Sequence, residues 1–105
     1  MTIQFNTDKN VGGTEEFVAP FVAQIEDELK RFSSHITRIE VHLSDENGKK
    51  EGINDMRCLL EARLEGRQPI AVSNQAGTNE EAISGALDKL KTSLETTLGR
   101  LSNHH

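Results

Sequence analysis

The sequence predicts an α+β fold with two layers, in which two helices cover one face of a four-stranded sheet in the order β-α-β-β-β-α. Three stretches alternate between apolar and polar residues, as half-buried strands do: 2–6, 36–43 and 56–64. Two other stretches repeat apolar residues at spacings of three and four, as amphipathic helices do. Because each helix has a single apolar stripe, we expect both helices to pack on the same side of the sheet and to leave the other face exposed.

The strands differ in how strongly the sequence marks them. The alternation is longest at 56–64, which indicates a central strand, and the polar stretch 44–55 before it indicates a mobile connection between antiparallel strands. After the turn Glu65-Gly66-Arg67, residues 70–74 alternate again. Proline lacks an N–H for the sheet ladder, so Pro69 favours an edge position for this last strand.

The helices carry recognisable start signals. The first apolar stripe runs over 15–32, with Thr14 as the expected N-cap, and Pro20 is expected to kink the helix or delay its start. The second helix is predicted from Asn79, as the N-cap, to Leu101. All 105 residues are therefore interpreted as one domain.

Composition restricts the classes of function. The chain is 34% hydrophobic and 28% charged, has a formal net charge of −5, and contains one cysteine, Cys58, which we expect to be buried. An intramolecular disulfide and a cysteine-based metal site are excluded, and a reducing, cytoplasmic location is predicted. No apolar run is long enough to span a bilayer, so a membrane is not an expected partner.

The sequence predicts neither an enzyme nor a cofactor-binding protein. It contains no nucleotide-binding glycine motif and no pattern typical of a catalytic triad. His35 and His42 are isolated, and His104 and His105 have no nearby third ligand, so a metal site is not expected.

One segment resembles a known family. Residues 82–90 read Ala-Ile-Ser-Gly-Ala-Leu-Asp-Lys-Leu. This is similar to the last-helix signature of the ribosome hibernation promoting factors and ribosome-associated inhibitors, which is Ala-Ile-Asp, three residues, then Asp-Lys-Leu. Ser84 stands where the family usually has an acid. The spacing from the first helix into the strand at 36–43 is also similar.

The resemblance implies a non-enzymatic domain that occupies the decoding region of the small ribosomal subunit and excludes messenger and transfer RNA. It also implies a short form without the C-terminal dimerisation domain of longer members. In the family, basic side chains contact rRNA phosphates, and no DNA is involved. The residues that would make these contacts here are Lys30, Arg31, Lys89, Lys91 and Arg100 on the helices, and Arg38, Arg57, Arg63 and Arg67 on or beside the sheet.

The charge of the chain favours a second hypothesis, because RNA-binding domains are usually basic. The predicted helices contain more acids than bases, and Glu40 and Glu61 lie among the sheet arginines, where they could pair with them. In this alternative, the chain is a protein-interaction module with weak or lost rRNA binding. Its open sheet face, with Leu59 at its centre, would then bind a protein partner.

Overall fold

The predicted fold class is confirmed in a computed structural model. It describes residues 1–8, 11–46 and 55–102, except for the side chains of 100–102. The strands are β1 (Thr2–Thr7), β2 (Ile36–Asp45), β3 (Met56–Leu64) and β4 (Ile70–Ala76), and the helices are α1 (Glu15–Glu28) and α2 (Asn79–Ser102).

The four strands form one mixed sheet in the order β1-β2-β3-β4. The two strand pairs β2–β3 and β3–β4 are antiparallel, whereas β1 pairs with β2 in parallel. A parallel pair needs a crossover, and α1 supplies it between β1 and β2. The predictions of a central β3 and an edge β4 are confirmed, and β2 extends two residues beyond its predicted end. Most of the connection predicted to be mobile, 47–54, lies outside the described residues.

A β-bulge near the start of β2 sets which residues reach the core. Ile36 lies opposite Leu64, but Arg38 lies opposite Arg63, so Thr37 is an extra residue on β2. Because a strand alternates with a period of two, a regular β2 would place Ile36 on the opposite face from Ile39. With the bulge, both isoleucines are buried.

The core lies between the helices and one face of the sheet, as predicted. The buried side chains of the sheet include Ile39, Val41, Cys58 and Leu60. Both helices contribute to the same cluster, α1 through Phe21, Ile25 and Leu29, and α2 through Ile83, Leu87, Leu90 and Leu94. The arginines predicted for the outer face are consequently left on the side that no helix covers.

The first helix is shorter than predicted. It begins at Glu15, where the hydroxyl of Thr14 accepts a hydrogen bond from the N–H of Phe17, so the predicted N-cap is confirmed and Pro20 does not delay the start. The helix ends at Glu28 and a 3₁₀ turn follows at Lys30–Phe32. A 3₁₀ turn places residues three apart on one side, so Leu29 and Phe32 are both buried as the chain turns toward β2.

The predicted N-cap of the second helix is wrong by one residue. The hydroxyl of Thr78 accepts a hydrogen bond from the N–H of Glu81 at 3.1 Å and donates one to the carboxylate of the same residue. The carbonyl of Thr78 also accepts the first helical bond, from Ala82. Thr78 is therefore the N-cap, because a cap is defined by the side chain that satisfies the free N–H groups of the first turn.

Helix α2 approaches β4 closely at Gly85. The side-chain amide of Asn74 on β4 donates to the carbonyls of Glu81 and Ala82 on α2, at 3.3 and 3.4 Å. A Cβ atom at position 85 would overlap this amide. The glycine thus costs helix propensity but leaves room for a polar link between strand and helix.

We expect Gly85→Ala to have different effects in two backgrounds. In the Asn74→Ala protein it should raise the free energy of unfolding by about 1 kcal/mol, because alanine is a better helix former and nothing blocks it. In the native background the displaced Asn74 amide should cancel that gain. Urea denaturation of the four proteins measures both effects, and equal effects of Gly85→Ala in the two backgrounds would contradict the proposed contact.

Candidate nucleic-acid interface

The open face of the sheet carries a compact group of four charged residues, which we call the sheet-face cluster: Arg38, Glu40, Glu61 and Arg63. The register places Arg38 opposite Arg63 and Glu40 opposite Glu61, so two pairs of like charges lie side by side. The guanidinium Nε of Arg63 lies 3.1 Å from Glu40 Oε2 and 3.2 Å from Glu61 Oε1. Arg38 Nε lies 3.8 Å from the same oxygen of Glu40. The diagonal and same-strand ion pairs offset the repulsion across the strands.

Two further side chains of this face, Arg57 and His42, also have carboxylate neighbours. Arg57 Nε lies 3.9 Å from Glu46 Oε1, and His42 Nε2 lies 3.9 Å from Glu40 Oε1. The sequence-based expectation that glutamates pair with the sheet arginines is confirmed. Positive and negative side chains therefore alternate in pairs on this face, and the arginines do not form a continuous positive surface.

A second group of polar contacts joins the two helices, and we call it the helix seam: Gln24, Glu28, Ser84 and Lys91. Lys91 Nζ lies 2.8 Å from Glu28 Oε1, and Gln24 Nε2 donates to Glu28 Oε2 at 2.8 Å and to Ser84 Oγ at 3.1 Å. Asp88 Oδ1 is a second carboxylate neighbour of Lys91, at 3.6 Å. Ser84, which departs from the family signature, is thus used to bind the other helix.

The seam shifts the titration of its two charged groups. Partial burial raises the pKa of Glu28, but hydrogen bonds from Lys91 and Gln24 outweigh burial, so the pKa lies below its ordinary value of 4.5. The hydrogen bond that Lys91 donates to Glu28 raises the pKa of Lys91 above its ordinary value of 10.5. Both shifts favour the ion pair over the neutral forms.

Arg31 is held at the same side of the domain. Its Nη2 donates to Glu95 Oε1 of α2, and its guanidinium carbon lies 4.5 Å from the centre of the Phe32 ring. Both charged side chains are more than half exposed. Solvent screens such a pair, so its contribution to stability is small. The guanidinium of Arg31 nevertheless already has a carboxylate partner.

The other predicted RNA-binding residues are in different environments. Lys89 is exposed, and its ammonium group donates to the carbonyl of Ser73 at 2.8 Å. No carboxylate in the described part of the chain forms an ion pair with it. The side chains of Lys30 and Arg67 are exposed and have no hydrogen-bond or ion-pair partner within the described ranges. The side chain of Arg100 lies outside the described residues.

The structure thus divides the nine candidates instead of collecting them in one patch. Arg38 and Arg63 share the sheet-face cluster, Arg57 lies beside it, and Arg31 and Lys91 lie on the helical side. The sequence reasoning missed Glu28 and Glu95, which neutralise two of the candidates from 63 and 64 residues away. The sequence did contain one indication of this pairing: α1 has five acidic residues and no basic one, so any ion-pair partner of these acids must come from another element.

Other kinds of site find no support among the described residues. Burial raises the pKa of the Cys58 thiol to about 12, so this buried group is a poor nucleophile at neutral pH. No group of three or more His, Cys, Asp or Glu side chains suited to a metal ion occurs in the described part of the chain. None of the described helices is long and apolar enough to span a membrane.

A comparison with family models decides the classification. Residues 8–102 match the model described as Sigma 54 modulation protein / S30EA ribosomal protein. The chain belongs to this family. The resemblance to hibernation factors seen in the last helix is therefore confirmed at the level of the family, whose members are ribosome-associated. No curated protein matches the sequence at a significant level.

Solved structures share the fold. The N-terminal domain of Protein Y from Thermus thermophilus superposes with a TM-score of 0.71 at 22% sequence identity, over 92% of this chain and 99% of that one. A ribosomal subunit interface protein from Coxiella burnetii gives a TM-score of 0.64 at 18% identity, over 94% and 99% of the two chains. At these identities the likeness demonstrates a common fold.

The helix seam should make stability depend on pH in a defined direction. Glu28→Gln removes the carboxylate, and we expect it to lower the free energy of unfolding by about 1 kcal/mol at pH 7. The pKa of Glu28 is lower in the folded chain, so its contribution is complete above pH 4.5 and is lost as the pH falls through the folded value. The variant and the native protein should then become equally stable at acid pH.

Glu26→Gln is the matched control, since Glu26 lies two residues earlier on α1, is exposed and has no ion pair among the described residues. Thermal unfolding at several pH values measures all three proteins. Equal destabilisation by the two substitutions, or a Glu28 effect that does not change with pH, would contradict the role given to the seam.

Proposed function

We propose that this chain is a non-enzymatic translation regulator that binds the decoding region of the small ribosomal subunit through rRNA phosphates. The observation that carries this proposal is the family match over residues 8–102. The structural relative from Coxiella burnetii, a ribosomal subunit interface protein, supports the same kind of partner. This function would place the chain in the cytoplasm, with the ribosomes.

The ion pairs limit how strongly such a chain binds RNA. Five of the nine candidate cations already lie within 4.0 Å of a carboxylate: Arg31, Arg38, Arg57, Arg63 and Lys91. A phosphate that approaches one of them must displace a carboxylate of the same chain. We therefore expect few net phosphate contacts and a shallow dependence of the binding constant on salt.

Lys89 is the best-placed cation of the family signature. It is exposed on α2, and its only described partner is the neutral carbonyl of Ser73. An ammonium group has three N–H donors, so two remain for a phosphate. Lys91, two residues further along α2, has the same side chain, but its charge is already neutralised by Glu28 and Asp88.

The paired charges of the sheet face favour a second candidate function. A surface with equal numbers of arginines and glutamates in the sheet-face cluster attracts RNA weakly, and Leu59 lies half-buried beside it. Protein interfaces commonly combine apolar groups with complementary charges. In this candidate, the chain reaches the ribosome through a protein and not through rRNA.

Sedimentation of the protein with purified small ribosomal subunits, over a series of salt concentrations, tests the proposal. We expect cosedimentation at low ionic strength that weakens as salt is raised, because phosphate contacts release counterions. Absence of cosedimentation at low ionic strength would refute the ribosomal function. Cosedimentation that does not respond to salt would refute the rRNA contacts and favour the protein partner.

Two substitutions on α2 make this test residue-specific. Lys89→Gln should reduce the salt slope by about 0.7, the value for one phosphate of a single strand, and should weaken binding. Lys91→Gln makes the same charge change and should have the smaller effect, because its charge is already compensated. Equal effects of the two variants would show that local pairing does not determine which lysine contacts RNA.

A further inference from the structure

The two edges of the sheet differ in how they are protected against pairing with a further strand. Strand β4 begins directly after Pro69, and the ammonium group of Lys89 donates to the carbonyl of Ser73 in its middle at 2.8 Å. Proline and lysine are two of the means by which proteins keep an edge strand from pairing. Strand β1 contains no proline and no charged residue. It is the outermost strand on its side of the sheet, with no further strand beyond it among the described residues.

The backbone of β1 offers hydrogen-bonding groups at this edge. The N–H of Asp8, directly after the strand, donates to the carbonyl of Leu43 on β2 at 3.2 Å. The register between β1 and β2 is regular, and backbone groups alternate in direction along a strand. The N–H and carbonyl groups of Ile3 and Phe5 therefore point away from β2. An edge that presents such groups is a template for another strand.

The core is incompletely covered at the same edge. Phe21 of α1 is buried, and the rings of Phe5 and Phe17 lie 6.2 and 5.2 Å from its ring, measured between centroids. Phe5 and Phe17 are themselves only half-buried, as are Ile3 and Val11, which pack against the same core. These four residues, which we call the β1 strip, continue the core to the margin of the domain.

Strand β1 is complementary to a second copy of itself in the antiparallel direction. A two-fold axis through Gln4, perpendicular to the sheet, keeps the helical layers of both copies on the same side. Residues directly opposite each other in an antiparallel pair share a face, so Gln4 would meet the second copy's Gln4, and Ile3 would meet its Phe5. Apolar side chains then face each other on the core side and amides on the open side, and no charge is brought opposite another.

We propose that two copies of this chain associate through antiparallel pairing of their β1 strands, which joins the two four-stranded sheets into one. The pairing supplies partners for the outward backbone groups and covers the β1 strip of each copy with that of the other. An interface of one short strand and one strip from each copy is small, so the dimer is reversible and depends on concentration. This inference goes beyond the proposed function and does not depend on it.

Sedimentation equilibrium over a concentration series measures the association. The mean mass should rise from 11.6 kDa toward twice that value as the protein concentration increases. Each copy has a net charge of −5, and the contacts are apolar and backbone ones, so added salt should strengthen the association by screening the repulsion. This is the opposite of the salt dependence expected for rRNA binding. A chain that stays monomeric at the highest attainable concentration, or a dimer that dissociates as salt is raised, would overturn the proposal.

Charge substitutions at Gln4 test the register. Gln4→Lys places like charges directly opposite each other across the two-fold axis and should weaken the association several-fold. Gln4→Glu should do the same, and an equimolar mixture of the two variants should restore the association, because opposite charges then meet.

Ala71→Lys is the matched control, since Ala71 is exposed on β4 at the other edge of the sheet. It makes the same charge change as a lysine at position 4 and reduces the net negative charge, so it should not weaken the association. Circular dichroism checks that the variants remain folded. Equal weakening by Gln4→Lys and Ala71→Lys, or no recovery in the mixture, would rule out pairing centred on Gln4.

The variant Gln4→Cys gives a covalent measure of the same contact. Directly opposite residues of an antiparallel pair have Cα atoms about 4.5–5.5 Å apart, a separation that a disulfide spans. The native Cys58 is buried, so the native chain reports any background reaction. Mild oxidation with diamide should cross-link Gln4→Cys much more completely than Ala71→Cys, and equal cross-linking of these two variants would contradict the β1 dimer.

Discussion

Every element of this domain is positioned by the need to cover the apolar face of the two central strands. Val41 and Leu60 face each other across β2 and β3 and are completely buried, and no single helix covers the four strands. Helix α1 lies with β1, and α2 covers β3 and β4. The opposite face has no such requirement, so it stays open and polar. The location of the charged residues follows from this one-sided burial.

The covering helices also determine which positive charges remain available. Packing the first helical segment beside α2 brings Glu28 to Lys91 and Glu95 to Arg31, so the pairs that join these segments also neutralise two candidate cations. Lys89, the cation of the family signature, forms no such pair among the described residues. Sequence could identify the nine basic residues but not this pairing, because the partners are about sixty residues apart and belong to different elements. It could identify the sheet-face pairs, since alternation alone places Arg63 and Glu61 on one face.

The extent to which the fold was predictable has a similar physical basis. Long alternating or amphipathic stretches indicate β2, β3, α1 and α2 directly, since burial of one face imposes those periods. The ends of the elements and the pairing of the strands are harder to predict. The last turn predicted for α1 becomes a 3₁₀ turn because Leu29 and Phe32 must both reach the core, and the parallel pairing of β1 depends on a crossover that no local pattern specifies. The predicted N-cap of α2 was Asn79 and the observed one is Thr78, because both residue types cap helices well and only the hydrogen bond to the N–H of Glu81 distinguishes them.

The sheet-face cluster has a consequence for how this surface changes as sequences diverge. Its two arginines and two glutamates sum to zero, and each ion is held by its neighbours in the cluster. Loss of Glu40 removes the carboxylate neighbour of Arg38 while Arg63 keeps Glu61, so the cluster gains one net positive charge. Loss of Arg63 removes the cation beside Glu61 while Glu40 keeps Arg38, so the cluster gains one net negative charge. A single substitution in the sheet-face cluster can therefore make this neutral face attract or repel anions, while the backbone and the core stay unchanged. Such a substitution would change the charge that this face presents to a partner and would leave the buried side of the sheet as it is.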